Sequence, residues 1–267
     1  MTELKLVATD MDGTFLNDHG TYDESAFKEV YQLMEQRNIQ FVVASGNQYY
    51  QLQSFFTEYP KTIFVSENGA LIAGEDKEYW TSHFDCEAYL KVIEVTSQIK
   101  DLDMVACGKK SAYVLSNVSD EWFNQVNHYY THLKRIDKFE NVEDEILKFA
   151  SNCPDDATNN LVSELTEKLQ GIGTPVSGGN GSIDIIQPGM NKAAGLSKLG
   201  KELNIKPEEM CAFGDGGNDI EMLQYVGNGI AMENASQLVK NIADTGTESN
   251  NNQGVISYLK NILENEE

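Results

Sequence analysis

Four short stretches of the chain carry residues that could do chemistry together. Near the amino terminus, Asp10 and Asp12 stand one residue apart and lead into Gly13 and Thr14. Ser45-Gly46 closes a second apolar run, Lys192 follows Asn191, and Gly214 to Asp219 reads Gly-Asp-Gly-Gly-Asn-Asp. Taken alone, an Asp-x-Asp pair is equally well explained as a turn or a helix cap. Taken together, Asp10, Asp12, Asp215 and Asp219 make four carboxylates that would share one hydroxyl, from Ser45, and one ammonium, from Lys192. Like charges packed together resist ionisation unless a cation sits among them, and Arg and His are scarce nearby. An all-oxygen donor set on loops suits Mg²⁺, which takes one or two carboxylates, carbonyls and waters and then shares phosphate oxygens. The chemistry implied is phosphoryl transfer at a divalent cation.

These residues can meet only if the elements before them end on one rim, as the strands of an open parallel sheet do. The runs "KLVAT", "IQFVVAS", "KTIFVS" and "MCAFGD" each read as a short buried strand with a polar terminus. Between them, Tyr22 to Arg37 sets Phe27, Val30, Tyr31 and Met34 on one helical face, and Gln48 to Glu58 reads as a further helix. Asn191 to Leu203 is helical with Pro207 beyond it; Asp219 to Val226, Ser236 to Ile242 and Val255 to Leu263 are shorter helices around a strand "GNGIAM". Strands alternating with helices predict β-α-β units and a mostly parallel, doubly wound α/β sheet.

The middle differs. Helices are predicted over Asp85 to Lys100, Glu121 to Leu133 and Ala157 to Leu169. Hairpins are predicted at Gly108-Lys109-Lys110 and at Gly178 to Gly181, and "EILKFASN" reads as a strand. Hairpins imply an antiparallel sheet with helices on one face. The expected organisation is a core of residues 1–83 and 188–267 carrying an inserted α+β cap of residues 84–187.

Composition narrows the partners. In 267 residues, 42 acidic against 20 basic side chains give a formal charge of −22, which disfavours nucleic acid and anionic membranes. Cys86, Cys107, Cys153 and Cys211 are scattered, without the spacing of a disulfide framework or a thiolate zinc site. No apolar run nears the ~20 residues of a membrane span, and the first residues lack a signal-peptide pattern. A cytoplasmic protein, monomeric or a small homo-oligomer, is expected.

"DMDGTFL", "SGN", "NKAAGL" and "GDGGND", in that order, resemble the four motifs of the haloacid dehalogenase superfamily of phosphatases. The inserted cap, "SENGA" and "NNQGV" resemble its Cof-type, subfamily IIB members, so the likeness runs along nearly the whole chain. The resemblance implies a Mg²⁺-dependent phosphomonoester hydrolase acting on a small phosphorylated metabolite, such as a sugar phosphate or phosphorylated cofactor. It makes Asp10 the nucleophile that forms an aspartyl-phosphate and Asp12 the general acid and base. Ser45, Gly46, Lys192 and Asn218 would hold phosphate, Lys192 also screening Asp10. The metal would be bound by Asp10, Asp215 and, through its backbone carbonyl, Asp12. Thr14 and Asp219 would support the turn and the metal's waters. A phosphomutase of the same architecture and a non-catalytic phosphometabolite sensor are the alternatives. One departure is Asn47, where many Cof-type sequences have arginine; it cannot supply that charge.

Other candidates read as structural. His128 and His132 have the spacing of a two-histidine zinc site but no carboxylate at the distance that site needs. Trp122, Phe123, Tyr129 and Tyr130 read as cap core, and Lys109-Lys110 as a solvated turn. Asn68 ends a core strand and could face the cleft. The Gly178–Gly181 loop could close over a substrate or be a plain turn.

Overall fold

The structure is a computed structural model that describes residues 3–100, 102–179 and 181–265. Asn180, in the expected hairpin tip, lies outside them. In chain order the first part comprises β1 (Leu6–Thr9), α1 (Glu24–Gln36), β2 (Gln40–Ala44), α2 (Tyr49–Ser54), β3 (Ile63–Ser66), β4 (Leu71–Ala73) and β5 (Glu78–Thr81). The middle holds α3 (Cys86–Thr96), β6 (Asp103–Gly108), β7 (Ala112–Leu115), α4 (Asp120–Val126), β8 (Leu133–Ile136), β9 (Ile146–Asn152), α5 (Thr158–Lys168), β10 (Thr174–Gly179) and β11 (Ser182–Ile186). The chain then forms α6 (Lys192–Leu203), β12 (Met210–Gly214), α7 (Ile220–Tyr225), β13 (Asn228–Met232), α8 (Gln237–Ile242), β14 (Thr245–Thr247) and α9 (Gly254–Asn265).

Among the described residues the strands form two sheets. One has eight strands in the order β14-β13-β12-β1-β2-β3-β4-β5. Its first six are parallel, and β4 and β5 add an antiparallel edge. β1 and β12 are buried throughout, as near-continuous apolar runs in a sheet covered on both faces must be. Asp23 caps α1 by accepting from Ala26 N at 3.0 Å, and Phe27, Val30, Tyr31 and Met34 form its buried stripe. The strands β1 and β12 are adjacent and in register, Thr9 opposite Phe213, so Asp10 and Asp215 leave the sheet side by side. β2 flanks β1 and delivers Ser45 to the same rim.

The second sheet runs β10-β11-β9-β6-β7-β8 and departs from expectation in two ways. The predicted helix at Glu121–Leu133 ends at Val126, and β8 follows it, pairing parallel to β7. Helices also cover both faces. Ala106, on one side of β6, packs with Tyr89, Val92 and Val95 of α3 and Leu165 of α5, whereas Val105 and Cys107, on the other, pack with Val126 of α4. A strand's two-residue period forces that division. Tyr130 is buried in the second cluster, but Tyr129 is exposed. Lys109 is no free turn residue, since its ammonium pairs with Glu78 at 2.9 Å and Glu145 at 3.4 Å.

Candidate active site

The site is built at the ends of β1, β2 and β12 and the start of α6. Asn191 caps α6, its Oδ1 accepting from Ala194 N at 2.8 Å, which makes Lys192 the first helical residue and turns it under the sheet. Its Nζ is fully buried and donates to Asp10 Oδ1 and to Asp219 Oδ1, both at 2.6 Å. Asp219 is also fully buried, and its other oxygen accepts from the backbone N–H groups of Asp215, at 3.0 Å, and Gly216, at 2.9 Å. That closes the Gly214–Asp219 loop on itself. Thr14 donates from Oγ1 to Asp215 Oδ1 at 2.6 Å, joining the loop after β1 to the loop after β12.

Between these loops the backbone comes close. Gly13 has φ +75°, and a Cβ placed there would lie 2.6 Å from Asp215 Oδ2. Glycine alone combines that left-handed turn with such an approach.

One carboxylate oxygen from each of Asp10, Asp215 and Asp219 falls within 4.8 Å of the others. Burial, then the charge of Asp219, pushes the Asp10 carboxyl well above the ordinary range, against the pull of Lys192. Burial likewise raises Asp215, opposed by the Thr14 hydrogen bond. For Lys192, burial alone would depress the ammonium, but Asp10 and Asp219 outweigh it and hold it above its usual value. Three carboxylates therefore share one permanent positive charge, an arrangement that fits a hard divalent cation bound through oxygen.

The structure places the remaining residues as follows. Asp12 is exposed and its carboxylate lies outside the three-carboxylate cluster; Oδ2 accepts from Asn47 Nδ2 at 2.7 Å. Asn47 thus reaches across from the end of β2 and holds Asp12, a role that its place in "SGN" does not announce. Ser45 is buried, and its Oγ accepts from Asn47 N at 3.1 Å. Gly46 lies under the Asn68 amide, 3.3 Å from where a Cβ would sit. Asn218 is half-buried in the turn before α7.

Lys148 and Asp184 of the second sheet, with Glu67 and Asn68 from the turn after β3, complete the surroundings. Asn68, in the left-handed region at φ 55°, donates to Asp184 Oδ2 at 2.8 Å, and Lys148 Nζ reaches the same oxygen at 2.6 Å. Lys148 is also 3.7 Å from Glu67 Oε2, which accepts no hydrogen bond. Burial lifts the Glu67 carboxyl to about 7 despite Lys148. Neither Lys148 nor Asp184 stands out in sequence. The available signal is a charged residue alternating with isoleucines in "SIDII" and one inside the apolar "EILKFA". His128 is exposed with Nδ1 bonded to the Asn124 carbonyl, and His132 stacks on Tyr50 at 3.8 Å.

Comparison with known proteins finds relatives along nearly the whole chain. The model of the haloacid dehalogenase-like hydrolase family matches residues 7–259. The chain is 43% identical over 264 residues to 5-amino-6-(5-phospho-D-ribitylamino)uracil phosphatase YbjI of Escherichia coli (strain K12), covering 98% of this chain and 97% of that one. It is 27% identical to YitU of Bacillus subtilis (strain 168), a phosphatase of the same designation, with 97% of each chain covered. Among solved structures, SMU.1108c from Streptococcus mutans UA159 superposes with a TM-score of 0.93 at 31% identity, over 98% of this chain and 100% of that one.

Proposed function

This chain belongs to the haloacid dehalogenase-like hydrolases and is a phosphatase, and from that premise we propose that it hydrolyses the phosphomonoester of a small soluble metabolite with Mg²⁺ as cofactor. The single observation that carries the reading is the Lys192 ammonium clamped 2.6 Å from both Asp10 and Asp219, with Asp215 completing the cluster. The likeness to YbjI makes 5-amino-6-(5-phospho-D-ribitylamino)uracil the first substrate to try.

Asp10 and Asp215 would hold the metal, with the backbone carbonyl of Asp12 and with Asp219 behind them. Bound there, Mg²⁺ would neutralise phosphate charge and lower the cost of bringing an anion onto a carboxylate. Lys192 fixes Asp10 in place and keeps its charge tolerable as phosphate approaches. An Asp10 oxygen attacks phosphorus, forming an aspartyl-phosphate as the bond to the alcohol oxygen breaks, and Asp12 gives that oxygen its proton. Asp12 then takes a proton from water, whose oxygen displaces Asp10 and releases inorganic phosphate. Ser45, the Gly46 backbone and Asn218 line the phosphate's path. Thr14 keeps Asp215 facing Asp10, and Asn47 fixes the orientation of the exposed Asp12 carboxylate.

Residues 84–187 act in this reading as a cap over a core of residues 1–83 and 188–267. Ser82 and Gln187, one on each crossing between the two, hydrogen-bond to each other at 2.6 Å. Among the described residues no helix is long and apolar enough to cross a membrane. The four free cysteines fit a reducing compartment, here taken as the cytoplasm.

The test is phosphate release from a panel of phosphorylated metabolites with Mg²⁺ and with EDTA. Release should require the metal, and Asp10→Asn should abolish it while the melting transition survives. Undiminished turnover by that variant would end the covalent mechanism.

A further inference from the structure

The cap hairpin of β10 and β11 spans the crevice above the site. β10 lies against the Gly217–Asp219 turn. β11 turns Ile183 and Ile185 into the cap core, which leaves Asp184 on the opposite face of the strand. Asp184 then sits over the Ser45-Gly46 loop, its Oδ2 3.5 Å from where a Cβ on Gly46 would be.

Asp184 is fixed and charge-balanced. Oδ2 accepts both from the buried Lys148 ammonium at 2.6 Å and from Asn68 at 2.8 Å. Its other oxygen receives no donor among the described residues, and the side chain remains 17% exposed. A carboxylate beside a phosphate subsite is an odd neighbour unless its charge is cancelled, and Lys148 cancels it. What remains is one rigid oxygen that can only accept. An anionic group would be repelled there and a hydrocarbon would strip its water without replacing it. A hydroxyl, neutral and donating, fits.

Resting on the phosphatase reading above, we infer that Asp184 is a specificity-determining residue that accepts a hydrogen bond from a hydroxyl on the alcohol part of the phosphoester, with Lys148 and Asn68 holding it in position. The two ends of the substrate are then read separately, the phosphate by the core and the polyol by the cap.

The experiment compares ribitol 5-phosphate with n-pentyl phosphate, equal in chain length but lacking hydroxyls, on the full chain with Mg²⁺. Wild type should favour ribitol 5-phosphate by about tenfold or more in kcat/KM, the discrimination of a charge-assisted hydrogen bond. Asp184→Asn should lose about that factor on ribitol 5-phosphate while n-pentyl phosphate changes by less than about threefold. Equal losses on both esters would show that Asp184 only supports the fold and would overturn the proposal. So would a wild-type enzyme that handles both esters alike, a result that needs no variant to fold. Phosphate release from no ester at all, by a protein with an intact melting transition, would sink the phosphatase reading and this proposal with it.

Discussion

Lys192→Met asks the most of the site. The side chain is fully buried and its ammonium is the counter-charge shared by Asp10 and Asp219 at 2.6 Å each. Methionine fills similar volume, so packing is nearly preserved and the electrostatic loss dominates. Removing one partner of a buried ion pair costs about 3–5 kcal/mol, because the other charge stays behind. At about 2–4 °C per kcal/mol for a domain of this size, the melting temperature in EDTA should fall by about 6–20 °C. The sign of the pH dependence follows from Asp10, whose carboxyl burial and Asp219 already hold above its ordinary value. Without Lys192 it rises further. A raised acid stabilises the fold while protonated and loses that contribution as pH rises through its folded value. The deficit should therefore grow as pH rises. Mg²⁺ should narrow it by replacing the missing positive charge. Thermal melts of both proteins at pH 5, 6.5 and 8, with EDTA and with Mg²⁺, read all of this, and kcat should drop by about 10²–10³-fold. Equal melting temperatures at pH 8 in EDTA would refute the account of the cluster.

Glu67, outside the cluster of Asp10, Asp215 and Asp219, supplies a second pH dependence. Its carboxyl stands at about 7 in the fold against 4.5 in water, chiefly through burial. Between those values the folded protein holds a proton that the unfolded chain has lost, so stability falls as pH rises through the window, by about 3 kcal/mol in all. Glu67→Gln should flatten that slope in urea titrations from pH 4.5 to 7, and an unchanged slope would exclude Glu67 as its source. Gly13→Ala would place a methyl 2.6 Å from Asp215 Oδ2 at φ +75°. It should raise the Mg²⁺ concentration for half-maximal activity by about tenfold or more, since a non-glycine residue there costs about 1–2 kcal/mol before Asp215 moves. Metal titration of the rate checks it.

Much of the rim was legible in sequence because Asp10, Ser45 and Asp215 each follow an apolar run. The polar ends of "KLVAT" and "MCAFGD" mark where strands leave a buried sheet, and parallel pairing brings such ends together. The same reasoning failed where local pattern and pairing diverge. β4 is an apolar run of only three residues, too short to stand out, and β5 is half exposed and shows no apolar run. β8 reads as a continuation of α4, since Tyr129, Tyr130 and Leu133 can be placed at helical spacing; the parallel partner that makes it a strand lies in β7. The contact of Asn47 with Asp12, and Lys148 and Asp184 altogether, escape the sequence for a related reason. Each acquires its meaning from a residue at least 35 positions away, Asp12 for the first and one another or Asn68 for the rest. No window of sequence contains both partners.

The charge of the chain then takes on a definite sense. At −22 it should repel a phosphate ester over long distances, yet two lysines, Lys148 and Lys192, are buried among the described residues. Neither is free to attract an anion. Lys192 is committed to Asp10 and Asp219, Lys148 to Asp184 and Glu67. The protein's own cations thus make buried acidic groups tolerable, and on the proposed reading the positive charge that draws phosphate in would come from a bound metal. Capture should accordingly follow metal binding, and the acidic surface costs little, because attraction acts only at contact range.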